Sequence, residues 1–245
     1  METSGGSLGD RATAIRRRIA ADPGAPEDLA GLLGHVCRIA AGELTASGVG
    51  VSVMTADGTR SLSAASAPAS ERFEDLQFLV GEGPCLDAFG TRRPVLIADL
   101  SSYAMTRWPL YAPAAYEDGI RAVFAFPLQV GAARLGVMDV FRERPGPLTE
   151  LQLGSALLMA DIIVEALLDR QENRDRQGFT DELVWSVGNR AQLFQAQGMV
   201  MVQLGIPLSE AMARMRAHAF AENRRLDDIA RDVVNRTLRF DQDAP

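Results

Sequence analysis

Lysine is absent from this 245-residue chain: all 25 basic side chains are arginine. Recognition of phosphate or carboxylate groups therefore falls to guanidinium, which binds both bidentately and stacks on flat rings, and not to an ammonium point charge. Cysteine is limited to Cys37 and Cys85, and histidine to His35 and His218. Two thiols in apolar surroundings exclude a disulfide framework and read as reduced, buried residues. No clustered Cys/His spacing of a metal site is present, so no metal is expected. No His/Asp/Ser or His/Cys constellation surrounds either histidine, and both read as surface or boundary residues, not metal or haem ligands. No apolar run approaches the ~18 residues of a membrane span, and the first residues lack the apolar core of a signal peptide. A cytoplasmic protein without membrane attachment is expected. Gly81-Glu82-Gly83-Pro84 is not followed by Gly-Lys-Ser/Thr, which excludes a phosphate loop.

What is present is ordinary globular usage, 47% hydrophobic and 23% charged, in a length sufficient for two modest domains. The net charge of −7 is carried entirely by residues 1–175, whereas residues 176–245 balance 9 arginines against 9 acids. A neutral C-terminal part lacks the broad basic footprint of a nonspecific nucleic-acid binder, so nucleic-acid contact there must rest on a local arginine face.

Residues 1–25, rich in Gly, Ser and Ala around Arg16-Arg17-Arg18, read as a flexible tail with a short helix. From Pro26 the apolar residues Leu29, Leu32, Leu33, Val36, Ala40 and Leu44 recur at helical spacing. Val49, Val51 and Val53 then alternate with small residues, and Asp57-Gly58 marks the turn of a hairpin into 59–66. A helix over 71–79 follows, with Glu71, Glu74 and Asp75 as its solvated face. Gly81–Asp87 reads as a tight turn, 94–98 as a short strand, and the aromatic-rich 107–118 as a loop plus a helix. Strands over 120–130 and 133–141 are apolar on both sides, implying a sheet covered on both faces. A long helix over 148–168 closes the unit. This order implies an α+β sensor fold, an antiparallel sheet flanked by helices.

The Gly81–Asp87 segment, the Arg121–Leu128 strand ending in Phe126-Pro127-Leu128, and the strand Leu135-Gly136-Val137-Met138-Asp139-Val140 resemble a GAF domain, over residues 26–168. The resemblance implies a sensor that takes a small molecule, a redox signal or a signalling protein. No residues resemble the cyclic-nucleotide signature of some GAF domains, so no cofactor is identified and the ligand stays an unknown small molecule. Candidate pocket residues are Cys85, Trp108, Tyr111 and Tyr116. Cys85 reads as a redox or chromophore site or, with no basic neighbour to lower its pKa, as a buried structural thiol. The three aromatics either line a pocket or cap the sheet.

Residues 169–178 are wholly polar yet free of proline, a solvated helical connector rather than a floppy linker. Joined through it, the helices spanning 148–204 can pair with those of a second chain, so a homodimer is expected. Residues 179–240 then carry three amphipathic segments: one ending at Gly205-Ile206-Pro207 (Leu193, Ala196, Val200, Leu204), one over 207–221 (Leu208, Ala211, Met212, Met215, Ala219), and one over 226–238 (Leu226, Ile229, Ala230, Val233, Val234, Leu238). These make an all-α three-helix bundle, followed by a tail over 241–245.

Three signatures in this bundle stand in the order of an ANTAR domain, the RNA-binding module of transcription antitermination regulators. The first reads Arg190, Leu193, Ala196-Gln197-Gly198 and Val200-Met201; the second Glu210-Ala211; the third Asn223-Arg224-Arg225-Leu226 and Ile229-Ala230. The chain thus resembles a GAF and ANTAR regulator of the actinobacterial type. The resemblance implies RNA stem-loops as partner, with Arg190, Gln197, Gly198, Asn223, Arg224, Arg225 and Arg231 as candidate contacts. In this family a lysine usually precedes the glycine; here it is Gln197, which removes one cation but keeps a hydrogen-bonding group. The spacing of Asp227 to Arg231 and Asp232 to Arg236 also suits ion pairs on a solvated helix face.

The function expected is RNA-binding antitermination controlled by the sensor unit, without catalysis. The alternative is a signalling adaptor whose C-terminal bundle docks a protein. An enzyme is disfavoured, because no paired catalytic groups accompany the aromatic residues.

Overall fold

The computed structural model describes residues 8–20, 28–55, 60–177, 181–222 and 224–241. The chain forms two compact units, Met1–Gln77 with Glu82–Gly178, and Phe78–Gly81 with Phe179–Pro245. In the first, α1 (Leu8–Ala20) and α2 (Leu29–Glu43) precede the strands β1 (Gly48–Met54) and β2 (Arg60–Ala65). Then come α3 (Pro68–Val80), α4 (Pro84–Thr91), β3 (Val95–Ile97), α5 (Tyr103–Arg107), α6 (Tyr111–Glu117), β4 (Ala122–Val130), β5 (Ala133–Arg142) and α7 (Glu150–Gln177). The strands form one antiparallel sheet in the order β2-β1-β5-β4-β3.

Alternation along the strands gives the sheet two different faces. Val49 and Val51 of β1, Phe124, Phe126 and Leu128 of β4, and Met138 and Val140 of β5 point to one side, where Leu33, Val36 and Ala40 of α2 and Met159 and Ile163 of α7 meet them in a continuous apolar core. The opposite face presents Gly48, Gly50 and Ser52, paired with Phe141, Asp139 and Val137. Here α3 and α4 lie on the sheet; Phe73 stacks at 5.4 Å on Phe141, and Ala88 and Phe89 are buried.

Several expectations are corrected. The short helix expected within residues 1–25 is α1, and it is not frayed but packed: its Ile15 is buried in the α2–α7 core and its Arg16 pairs with Glu165 at 2.8 Å. The turn expected over Gly81–Asp87 runs directly into α4: Gly83, with φ of 142°, is its N-cap and Pro84 occupies its first turn, where a missing N–H costs nothing. His35 is buried on α2, not at a boundary. Residues 150–169 of α7 are apolar enough, by length and composition, to cross a membrane, which the sequence reading denied for the whole chain. Ala156, Met159, Ala160, Ile162 and Ile163 of that stretch pack into the sheet core.

Helix α7 continues through 169–177. The second unit holds α8 (Asp181–Leu204), α9 (Leu208–Ala221) and α10 (Leu226–Val234). Ala196 and Val200, Ala211, Met215 and Ala219, and Ile229, Ala230 and Val233 close its core. Helix α8 stops at Gly205, whose φ of 66° suits glycine. Leu208, expected in the core, is 47% exposed at the start of α9.

Candidate functional site

The small residues on one face of β1 leave room for polar side chains from α3. A Cβ at Gly50 would lie 2.6 Å from Glu74 Cγ and 2.7 Å from its Cδ, so only glycine lets that carboxyl settle on the strand. Glu74, expected on a solvated face, is completely buried. Ser52 Oγ donates to Glu74 Oε2 at 2.7 Å. Beside it on β5 stands Asp139, also completely buried, flanked in register by Gly50 and Ala125. Gln77 Nε2 reaches Asp139 Oδ2 at 3.4 Å, while Gln77 Oε1 accepts the Cys85 backbone N–H at 2.7 Å. One amide thus ties α3 to both β5 and the first turn of α4.

Burial governs the protonation of this group. Desolvation raises Glu74 well above the usual carboxylate range, and the neighbouring charge of Asp139 raises it further. Burial also pushes Asp139 up to about 6, opposed by hydrogen bonds from Glu74, Cys85 and Gln77. The Glu74 carboxyl thus favours its neutral form and hydrogen-bonds with Asp139. The Cys85 thiol, buried and facing two carboxyls, is raised well above its ordinary value. It is therefore a protonated thiol hydrogen-bonded to Asp139, the opposite of an activated nucleophile.

The four expected pocket residues separate into three environments. Cys85 and Tyr111 share the buried polar group, and Tyr111 is raised by burial and by the charges of Asp139, Glu74 and Cys85. Glu82 Oε1 accepts the Leu110 and Tyr111 N–H groups at 2.6 and 3.0 Å, fixing the start of α6. Trp108 is buried, meets Tyr111 edge-on at 6.3 Å, and donates Nε1–H to Asp87 Oδ2 at 3.3 Å. Arg107 pairs with the same carboxylate at 2.5 Å. Tyr116 is half-buried and lies under Arg121 at 3.8 Å. Two surface clefts, one lined by Arg38, Ala64–Pro68 and Glu71 and the other by residues of β4 and α7 with Arg92 and Pro94, include none of these four residues.

In the second unit Gln197 is only 6% exposed. Its Nε2 donates to Leu208 O at 2.7 Å, joining α8 to the first turn of α9. Gly198 beside it has no neighbour within 4 Å of where a Cβ would stand. Arg224, ahead of α10, pairs with Asp232 at 2.6 Å and Glu222 at 3.4 Å, and the hydrogen bond from Arg224 holds Asp232 below its ordinary range. Arg231 pairs with Asp228 at 2.7 Å, not with Asp227 as the spacing suggested, and Asp232 is taken by Arg224 and not by Arg236. Arg225 is exposed at the N-cap of α10. The Arg190 side chain and Asn223 lie outside the described residues.

The GAF domain family matches residues 26–168, and the ANTAR domain family matches residues 186–234. The chain belongs to the GAF domain family and carries an ANTAR domain. The GAF domain from a phosphoenolpyruvate-protein phosphotransferase of Coxiella burnetii is similar in fold, with a TM-score of 0.51 at 19% identity, covering 68% of this chain and 99% of that one. A second, from Acinetobacter, gives 0.51 at 12% identity over 71% of this chain and 99% of its own. In sequence the chain is 27% identical over 202 residues to a Nif-specific regulatory protein of Herbaspirillum seropedicae, covering 79% of this chain. It spans only 35% of that relative's length.

The buried acids of the GAF domain were missed in the sequence. Asp139 lies in the strand segment 135–140 that carries the GAF resemblance. Its position in an apolar run covered on both faces was the available signal, since a carboxylate there must find partners. Glu74 gave none by itself, because it stands in a run of acids, Glu71, Glu74 and Asp75, that local pattern cannot tell apart.

Proposed function

We propose that the protein is a cytoplasmic, homodimeric regulator in which the GAF domain receives a signal and controls RNA stem-loop binding by the ANTAR domain, acting in transcription antitermination. The observation that carries this reading is the ANTAR match over residues 186–234, on a unit that folds as three helices around one apolar core. Arg224, Arg225 and Arg231 supply the phosphate and base contacts, with Arg190 and Asn223 alongside; guanidinium planes stack on the splayed bases of a hairpin loop. Gln197 serves from within, by fixing α8 against α9 beneath Gly198. Dimerisation through 148–204 places two such units for paired stem-loops. The signal acts by favouring one of two helix arrangements, which requires different affinities for the two. Binding one RNA structure over another needs no catalysis.

A second reading, a signalling adaptor that docks a protein, draws on Phe194 and Val202 of α8, which are 45% and 75% exposed. Equilibrium binding of the full-length protein to paired RNA hairpins at two salt concentrations separates the two. The RNA reading expects affinity to fall steeply with salt, by counterion release. Absence of binding, or binding indifferent to salt, overturns it in favour of protein docking.

A further inference from the structure

Glu74, Cys85 and Asp139 come from three different elements, α3, α4 and β5, and offer donor atoms that all lie within 4.8 Å of one another. All three residues are completely buried. An independent feature points to the same spot. The phenol of Tyr111, on α6, is also completely buried, and its oxygen has no hydrogen-bond partner. It stands near enough to Asp139, Glu74 and Cys85 for their charges to oppose its ionisation. Glu74 Oε1 and Asp139 Oδ1 find no N–H or hydroxyl donor beyond the carboxyl and thiol contacts within the group itself. Folded proteins rarely leave an enclosed polar group such as the Tyr111 hydroxyl unmatched.

We propose that Glu74, Cys85 and Asp139 form a binding site for one divalent transition-metal ion in the GAF domain, with Tyr111 as a fourth, neutral donor. The donor set selects the class of ion. Magnesium and calcium take oxygen ligands, whereas a thiolate among carboxylates suits zinc, ferrous or cobaltous ions. A tetrahedral ion with bonds of about 2.0–2.3 Å sets its donors roughly 3.3–3.8 Å apart, which side-chain torsions reach from the present triangle. Three anionic donors around a dication leave one negative charge, and the Arg60 guanidinium acts on both Glu74 and Cys85 to offset it.

The surroundings already orient the donors. Ser52 Oγ–H holds Glu74 Oε2, leaving Oε1 open, and Gln77 Nε2–H holds Asp139 Oδ2, leaving Oδ1 open. Such outer partners fix the direction in which a ligand oxygen points. The ion displaces the Cys85 thiol proton and whatever proton the Glu74–Asp139 pair holds, and no electron moves. The site deepens the sensor half of the proposed function and rests on that reading only for its effect on RNA; metal binding itself is measured without RNA.

The test uses the full-length protein, stripped with chelator and loaded with Co2+ or Zn2+, or supplied with metal during expression. Bound metal is counted by elemental analysis and the cobalt environment is read by absorption. The expected result is one ion per chain, tetrahedral ligand-field bands and a sulfur-to-cobalt charge-transfer band. Cys85→Ser should remove that band. Asp139→Asn should lower affinity by more than about 100-fold, and Ser52→Ala by about 10-fold with the band kept. Folded wild-type protein that takes up well below one equivalent overturns the site, as does a cobalt spectrum without the sulfur band. Should Cys85→Ser or Asp139→Asn fail to fold, Tyr111→Phe provides a conservative variant: a roughly 10-fold loss of affinity supports the site, and unchanged affinity counts against it. Metal bound as expected, with RNA affinity the same in its presence and absence, keeps the site and removes it as the signal.

Discussion

Glu74 on α3 and Asp139 on β5 are both completely buried and bring carboxyl oxygens within 4.8 Å of each other, which raises both above the usual carboxylate range. The two residues are far apart in sequence, so their contact joins a helix to the middle of the sheet.

The pair makes the metal-free protein sensitive to pH in a definite direction. Asp139 in the unfolded chain titrates near 3.9 and in the fold at about 6. A raised carboxyl gives up stability as pH rises: its contribution is whole below about pH 4 and declines between about 4 and 6. Glu74, raised further, carries the decline to higher pH. Urea unfolding of chelated protein at pH 5 and pH 8 is expected to show a loss on the order of 2 kcal/mol from this source. Asp139→Asn, which keeps the shape but cannot ionise, should reduce the dependence. An equal slope in the variant sinks the assignment.

Gly50 supplies the room for that contact. Gly50→Val inserts a branched side chain where the Glu74 carboxyl lies and leaves the carboxyl no buried alternative. Thermal or urea unfolding should register a loss of at least about 2 kcal/mol. Gly42→Ala, in α2 with no neighbour within 4 Å of its Cβ position, serves as the control and should be neutral or mildly stabilising.

Gln197 and the arginines predict opposite patterns. Gln197→Ala removes the bond to Leu208 O from a buried position, and should cost about 1–3 kcal/mol of stability in the C-terminal unit. Arg231→Ala loses an exposed pair with Asp228, worth under about 1 kcal/mol. It should instead weaken RNA binding and lower its salt slope by about 1. Circular dichroism on melting and hairpin titration, run on both variants, separate scaffold from contact. Arg231→Ala with full RNA affinity removes Arg231 from the proposed interface.

Helix α7 is the remaining test of how the sheet is covered. Ile163, completely buried between α7 and the strands, should cost about 2–5 kcal/mol when cut to alanine. Leu157, 46% exposed on the same helix, should cost far less. A reversal would mean that α7 sits with its other side on the sheet.

Much of this architecture was legible beforehand because periodicity reports which side of an element is apolar. Val49, Val51 and Val53 announced β1, and Leu33, Val36 and Ala40 announced the helix that covers it. The ANTAR core residues followed the same rule, apart from Leu208 at a helix start, where spacing no longer dictates facing. The polar interior could not be read in this way. Glu74 is separated from solvent only because Gly50, distant in the chain, has no side chain, and Gln77 becomes a bridge only once α4 begins at Pro84. Such pairings depend on three-dimensional proximity, which local pattern does not encode. The charge pairing of α10 failed for a related reason: Arg224, outside the helix, reaches Asp232 first.

The two cysteines sit on opposite sides of the sheet, Cys37 in α2 and Cys85 in α4, and neither exposes any surface. The described fold is therefore silent to thiol reagents, and each labelling event counts an opening. Because one thiol lies under each layer of helices, the rates at Cys37 and Cys85 time the two layers separately. Single-cysteine variants turn the protein into a two-channel clock for its own sensor domain: a signal that loosens only the α3–α4 side quickens Cys85 and leaves Cys37 unchanged.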